Sequence, residues 1–134
     1  MKIAFQMDPI EPIDIAADST FRLAEEAQVR GHELFYYTPD HLAYQEGRLT
    51  ATGWPLSVQR VVGNHAILGP KTEVDLADFD VGWLRQDPPF DMHYITMTHL
   101  LDRVHPYTLV VNDPFWVRNY PEKLLVLDFS DLTP

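Results

Sequence analysis

Apolar positions alternate with polar or small ones over "KIAFQ" (Lys2–Gln6), which predicts a short strand. The following "MDPIEPIDIAADS" is polar and interrupted by Pro9 and Pro12, so it reads as a loop. From Thr20 to about Arg30 the period becomes helical. Phe21, Leu23, Ala24 and Ala27 form the apolar side, Asp18 or Ser19 supplies the cap, and Gly31 stands where a helix ends in a left-handed residue. "HELFYYT" (His32–Thr38) is rich in β-formers and predicts the second strand. Strand, helix, strand in this order predicts a parallel crossover unit.

The pattern then changes. Over Leu42–Gly53 the Glu46-Gly47 pair punctuates two short segments, which predicts a β-hairpin. Between Trp54 and Asp80, "SVQRVVG" reads as an edge strand and "PKTEVDLADFD" as a polar connection, with the conformation of Trp54–Lys71 left open. "VGWLR" (Val81–Arg85) returns to the sheet. Tyr94, Met97, Leu101 and Val104, with Ile95 beside them, recur at helical spacing from Met92 to about Val104 and stop before Pro106. "TLVVN" (Thr108–Asn112) reads as a further buried parallel strand, and "NYPEKLLVLDF" as a helix with Pro121 in its first turn. The Trp, Tyr and Met residues mostly fall at core spacing. The fold class expected is α/β: a doubly wound, mostly parallel sheet flanked by helices, with a β-hairpin insertion.

Composition narrows the class. The 134 residues suit one domain, with 46% apolar and 22% charged residues. No run approaches the roughly 18 apolar residues of a membrane span. The first residues lack a long apolar segment and a small-residue cleavage site, so no signal peptide is expected. With no cysteine there is no disulfide or thiol chemistry in this chain, and a cytoplasmic setting is expected. Twenty acids against ten Lys and Arg give a net charge of −10, and no basic stripe for nucleic acid stands out. There is no G-x-G-x-x-G, Walker A or G-x-S-x-G sequence. The six histidines are scattered without metal-ligand spacing, so no metal site is expected.

One regularity carries candidate chemistry. Three predicted parallel strands each end in Asp-Pro: Met7-Asp8-Pro9, Gln86-Asp87-Pro88 and Asn112-Asp113-Pro114. Exits at the carboxyl ends of parallel strands share one edge of the sheet, where α/β domains bind ligands. Asp-Pro alone is good turn chemistry; the shared edge favours a site. In "RQDPPFD", Asp91 as N-cap, Phe90 before it and Ile95 after it predict a hydrophobic staple on the next helix. Arg85 either forks onto a ligand carboxylate or phosphate, or pairs with Asp87 or Asp8.

"KIAFQMDPIEPIDIAADSTFRLAEEAQVRGHELFYY", with "RQDPPFD", "VVNDP" and "EKLLVLDFSDLTP", resembles the N-terminal part of bacterial glutathione synthetases from the first residue to the last. The resemblance implies an ATP-grasp ligase, cytoplasmic and homotetrameric. Using ATP and Mg²⁺, it joins γ-glutamylcysteine to glycine through an acyl phosphate. It implies that residues 1–134 form a single Rossmann-like pre-ATP-grasp domain walling the peptide-substrate site. Met7, Asp8, Ser19, Arg85, Asp87, Pro88 and Asn112 are then expected at the substrate and Lys123 at the ATP phosphates. As a bare residue, Lys123 is equally a solvated surface lysine. The second ATP lysine, the glycine-rich loop and the acidic Mg²⁺ ligands of that family are not in this sequence. No catalytic residue, metal ligand or bound cofactor is therefore expected in this chain, and alone it is expected to be inactive. Two alternatives stay open: a non-catalytic stand-alone binding or oligomerisation module, and the N-domain of another ATP-grasp peptide ligase.

Overall fold

Side chains of β1 (Lys2–Gln6) alternate between two cores, in a computed structural model that describes residues 1–132. Ile3 and Phe5 face one side with Phe21, Ala24 and Ala27 of helix α1 (Ser19–Val29). Ala4 faces the other, with Leu101 from helix α2 (Met92–Leu101) and Val110. The sheet is thus covered by a helix on each face, as the period-2 alternation of its strands requires.

Among the described residues the sheet has eight strands. β2 (Glu33–Tyr37), β1, β7 (Val81–Leu84) and β8 (Leu109–Val111) run parallel as neighbours in that order. β4 (Arg48–Val58) is antiparallel to β2 and is long enough to serve several partners. Its first half pairs with β3 (Leu42–Gln45) and β6 (Thr72–Asp75), and its second half with β5 (Ala66–Leu68). The α/β class is as expected, but the sheet is mixed. Half its strands belong to the antiparallel part, so "mostly parallel" overstates the order. Gly53 explains where β4 crosses β2. A Cβ there would stand 2.2 Å from the Tyr36 carbonyl oxygen and 2.8 Å from Tyr37 Cβ, so no other residue fits without displacing backbone.

Several elements form for the expected reasons. Asp18 caps α1, its carboxylate accepting from the Phe21 N–H at 2.6 Å. At the other end Gly31 has φ +76°. Gly31 N–H donates to Gln28 O and His32 N–H to Ala27 O, the paired bonds of a Schellman motif. Glu46 (φ 53°) and Gly47 (φ 81°) form the two-residue turn of the β3–β4 hairpin.

Other expectations are corrected. Leu23 is on the solvent side of α1, and Thr20 is buried in its place. Only Ser57 and Val58 of "SVQRVVG" lie in a strand, while Val61 and Val62 are exposed in a turn. The "polar connection" contains β6, whose TEVD sequence lacks an apolar signal and is held by pairing with β4. Trp54–Lys71 is ordered in β4, β5 and the turn between them. β8 is an edge strand that buries only Val110. A helix not foreseen, α3 (Pro114–Asn119), precedes the expected last one. That last one is a single turn, α4 (Glu122–Leu125), with Pro121 as its N-cap, followed by 3-10 turns over Val126–Leu132. Trp116, Tyr107 and Met92 are exposed rather than in the core. No helix among the described residues is long and apolar enough to cross a membrane.

Candidate functional site

Because β1, β7 and β8 are parallel neighbours, their Asp-Pro exits open along one rim. Proline fixes φ and holds the preceding residue extended, so each aspartate leaves its strand in a stiff conformation. The three carboxylates nevertheless find different partners. Asp8 Oδ2 accepts the backbone N–H of Asp87, tying the β1 exit to the β7 exit. Asp113 caps α3, its Oδ1 accepting from Phe115 N–H (2.9 Å) and Trp116 N–H (3.2 Å). Its Oδ2 lies 3.4 Å from His105 Nε2. The exposed Asp87 carboxylate has no hydrogen-bond or ion-pair partner among the described residues.

Arg85 takes neither of the aspartates offered to it by the sequence. Its Nε donates to Thr20 Oγ1 (3.0 Å) and its Nη2 to Ser19 Oγ (2.7 Å), both hydroxyls in the first turn of α1. The guanidinium therefore has neutral partners only, and among the described residues it makes no ion pair. It also stands at the positive end of an 11-residue helix, where a cation is disfavoured and an anion is favoured. Arg22 and Arg60 line the same recess of about 460 Å³ with Ser19 and Ile15. Both of those arginines are committed to Glu25, at 2.8 and 2.7 Å, which holds the Glu25 carboxyl below the usual carboxylate range. Asp18 lines the recess too, and Arg85 is its one arginine without a carboxylate partner among the described residues, although the chain's net charge is −10.

Gln86 follows Arg85 and lines a second recess of about 240 Å³ together with Asp8, Thr38, Asp40, Asp87 and His93. A third, of about 660 Å³, is walled by Pro88, Phe90, Tyr94, Asn112, Tyr120 and Lys123. Burial raises the Tyr94 phenol and the nearby Arg85 charge opposes that shift. Phe90 packs its ring on Tyr94 at 5.1 Å. Asp91 caps α2 as expected, accepting from Tyr94 N–H at 3.0 Å.

The predicted site residues are therefore distributed. Ser19 and Arg85 meet directly; Asp8, Asp87 and Pro88 share the second recess; Pro88, Asn112 and Lys123 share the third. Met7 is different, because its side chain is buried in the core beside α1. Thr20 and Gln86 went unnoticed in the sequence. The signal was present for Gln86: Gln6 ends an apolar strand, where a buried amide needs a partner, and Gln86 follows the neighbouring strand by two residues. Among the described residues no group of three or more His, Asp or Glu side chains is arranged to hold a metal ion.

Comparison with known proteins bears on what this rim serves. A family model described as "Prokaryotic glutathione synthetase, N-terminal domain" matches residues 1–118. The glutathione synthetases of Mesorhizobium japonicum and Brucella melitensis are 55% and 56% identical over the whole chain, which covers 43% of each. That of Salmonella typhimurium is 40% identical, with the same coverage. The chain thus spans less than half the length of the curated relatives it matches.

Proposed function

Since the chain belongs to the prokaryotic glutathione synthetase N-terminal domain family, we propose that it walls the peptide-substrate site of an ATP-dependent ligase joining γ-glutamylcysteine to glycine. The carrying observation is Arg85. A guanidinium without a carboxylate partner, oriented by two hydroxyls at a helix N-terminus, is an electrostatically unfinished seat for an anion. γ-Glutamylcysteine carries two carboxylates and an ammonium. One carboxylate completes the Arg85 seat, and the free Asp87 carboxylate on the neighbouring recess suits the ammonium. Met7 contributes through the backbone of the β1 exit, and Pro88 by shaping the wall between the second and third recesses.

The same reading gives Lys123 to the nucleotide side and keeps Asn112, which lines the third recess with it, at the substrate. Lys123 is exposed beside the third recess, where its ammonium is free to approach phosphate. ATP supplies the phosphoryl group that activates the peptide carboxylate. This chain's share is to bind and orient the peptide, with Mg²⁺ held by residues outside it. The parallel quartet β2-β1-β7-β8, with α1 and α2 on opposite faces, supports reading residues 1–134 as a Rossmann-like pre-ATP-grasp domain. The exposed Leu109 and Val111 on β8, with Tyr107 before it and Trp116 and Leu124 after it, support packing against the rest of a cytoplasmic, homotetrameric ligase.

Kinetics on the full-length ligase test the assignment. Arg85→Ala is expected to raise KM for γ-glutamylcysteine by roughly 10- to 100-fold, the range of a lost charge-assisted hydrogen bond, with KM for ATP within about twofold. Lys123→Ala is expected to do the reverse. An unchanged peptide KM in Arg85→Ala removes the anion seat.

A further inference from the structure

Three residues at adjacent strand ends form a hydrogen-bond chain that sets the chemistry of the second recess. Tyr37 is the last residue of β2, and its register partner Gln6 is the last of β1. Gln86 lies two residues past the end of β7, on the other side of β1. Tyr37 and Gln6 are each 1% exposed, so their polar groups must find partners within the protein. The Tyr37 hydroxyl donates to Gln6 Oε1 at 3.2 Å, and Gln6 Nε2 donates to Gln86 Oε1.

The direction of this chain follows from satisfiability. A buried phenol has one proton and needs one acceptor, and burial raises the Tyr37 phenol so that it stays protonated. Among the described residues the Tyr37 hydroxyl bonds only to the Gln6 amide oxygen. Reversing the Gln6 amide would leave the Tyr37 proton unpaired in the core, at a cost of about 1–3 kcal/mol. With Gln6 fixed, its NH₂ faces Gln86, and the Gln86 oxygen must turn inward to accept. Gln86 Nε2 then points away from the core. Among the described residues it has no protein acceptor, and it is not one of the buried unpaired atoms, so its donors are open to the recess.

We propose that Gln86 is a specificity-determining residue whose NH₂ donates to an oxygen of the peptide substrate, and that Tyr37 and Gln6 are positioning residues that fix which end of the Gln86 amide is presented. Asp8, Asp40, Asp87 and Asp91 also line this recess, and all of them accept hydrogen bonds when ionised. A carbonyl or carboxylate oxygen entering it finds an amide donor in Gln86, beside the Thr38 hydroxyl and the His93 ring. The proposal rests on the recess belonging to the peptide site and adds to it the polarity of one side chain.

A double-mutant cycle in the full-length ligase tests it. Gln86→Glu keeps the acceptor facing Gln6 but replaces the presented donor with a carboxylate oxygen. KM for γ-glutamylcysteine is expected to rise roughly 10- to 100-fold, with KM for ATP within about twofold. Tyr37→Phe frees both amides to flip and is expected to raise the peptide KM about 3- to 10-fold. In the double variant the Tyr37→Phe effect is expected to vanish, because a carboxylate presents the same group whichever way it turns. A Tyr37→Phe effect that persists undiminished beside Gln86→Glu overturns the proposal, since a merely structural role would be additive. Should Tyr37→Phe fail to fold, Gln86→Met decides: removing the donor without adding charge must raise peptide KM in the same direction, by less than Gln86→Glu. An unchanged peptide KM in Gln86→Glu, where Arg85→Ala raises it, overturns this inference alone. If neither variant changes it, the reading of the rim as a peptide site falls as well.

Discussion

The β1–β7 exits and the β8–α3 exit are built on the same dipeptide and end in opposite states. At β1 and β7 the core beneath is closed and polar groups are left over: the Asp87 carboxylate, the Arg85 guanidinium and the Gln86 amide. At β8 the aspartate is consumed locally, because Asp113 caps α3 and approaches His105, while large apolar side chains are left over. Trp116 is 56% exposed and Leu124 61%. A stiff strand exit therefore delivers an aspartate to the rim without deciding its use. A helix that starts immediately, as α3 does at Pro114, absorbs the carboxylate as a cap. After β7 the helix starts four residues later and takes Asp91 instead, which leaves Asp87 free.

The comparison is broken most severely through the core. Leu84, 2% exposed at the end of β7, holds up the polar rim from below. Leu84→Ala is expected to destabilise the chain by about 3 kcal/mol in urea denaturation, as large-to-small core substitutions do. Leu124→Ala, on the exposed region, is expected to change stability by less than about 0.5 kcal/mol. Equal costs would mean that the two regions are not differently packed. A smaller contrast lies between the aspartates. Asp113→Ala removes a helix cap and is expected to cost about 1 kcal/mol, whereas Asp87→Ala is expected to stay within about 0.5 kcal/mol. A destabilising Asp87→Ala would show that its carboxylate has a structural partner.

What the sequence made legible follows the same division. β1, α1, β2 and the Glu46-Gly47 turn were readable because local pattern, caps and turn residues all agree with the final packing. β6 was not, because TEVD is held by pairing with β4 rather than by burial of its own residues. α3 was obscured because only Pro114 and Val117 turn inward, while the larger Phe115 and Trp116 stay exposed. At the rim, the Asp-Pro spacing located the edge correctly. The partner of Arg85 was invisible: Ser19 and Thr20 are 66 and 65 residues away, and charge alone pointed to Asp8 or Asp87. Hydroxyls won because strand β7 delivers Arg85 beside the first turn of α1.

The smallest expected effect concerns why Arg85 is spare at all. Glu25 binds Arg60 through two hydrogen bonds of 2.7 Å and Arg22 through one of 2.8 Å, which leaves Arg85 as the arginine of the recess without a carboxylate partner among the described residues. The hydrogen bond from Arg60, and then that from Arg22, depress the Glu25 carboxyl below its ordinary value, against desolvation. A carboxyl depressed in the folded state contributes stability that is present above its unfolded value of about 4.3, and is lost as pH falls through the lower folded value. Wild type is therefore expected to be slightly more stable than Glu25→Gln at pH 6, with the difference closing as pH falls below the ordinary carboxylate range. Urea midpoints of the two proteins compared across that range measure it, and their difference cancels the other acids. A gap that does not narrow with acid would mean that Glu25 acts by packing, and that Arg22 and Arg60 are as available to an anion as Arg85.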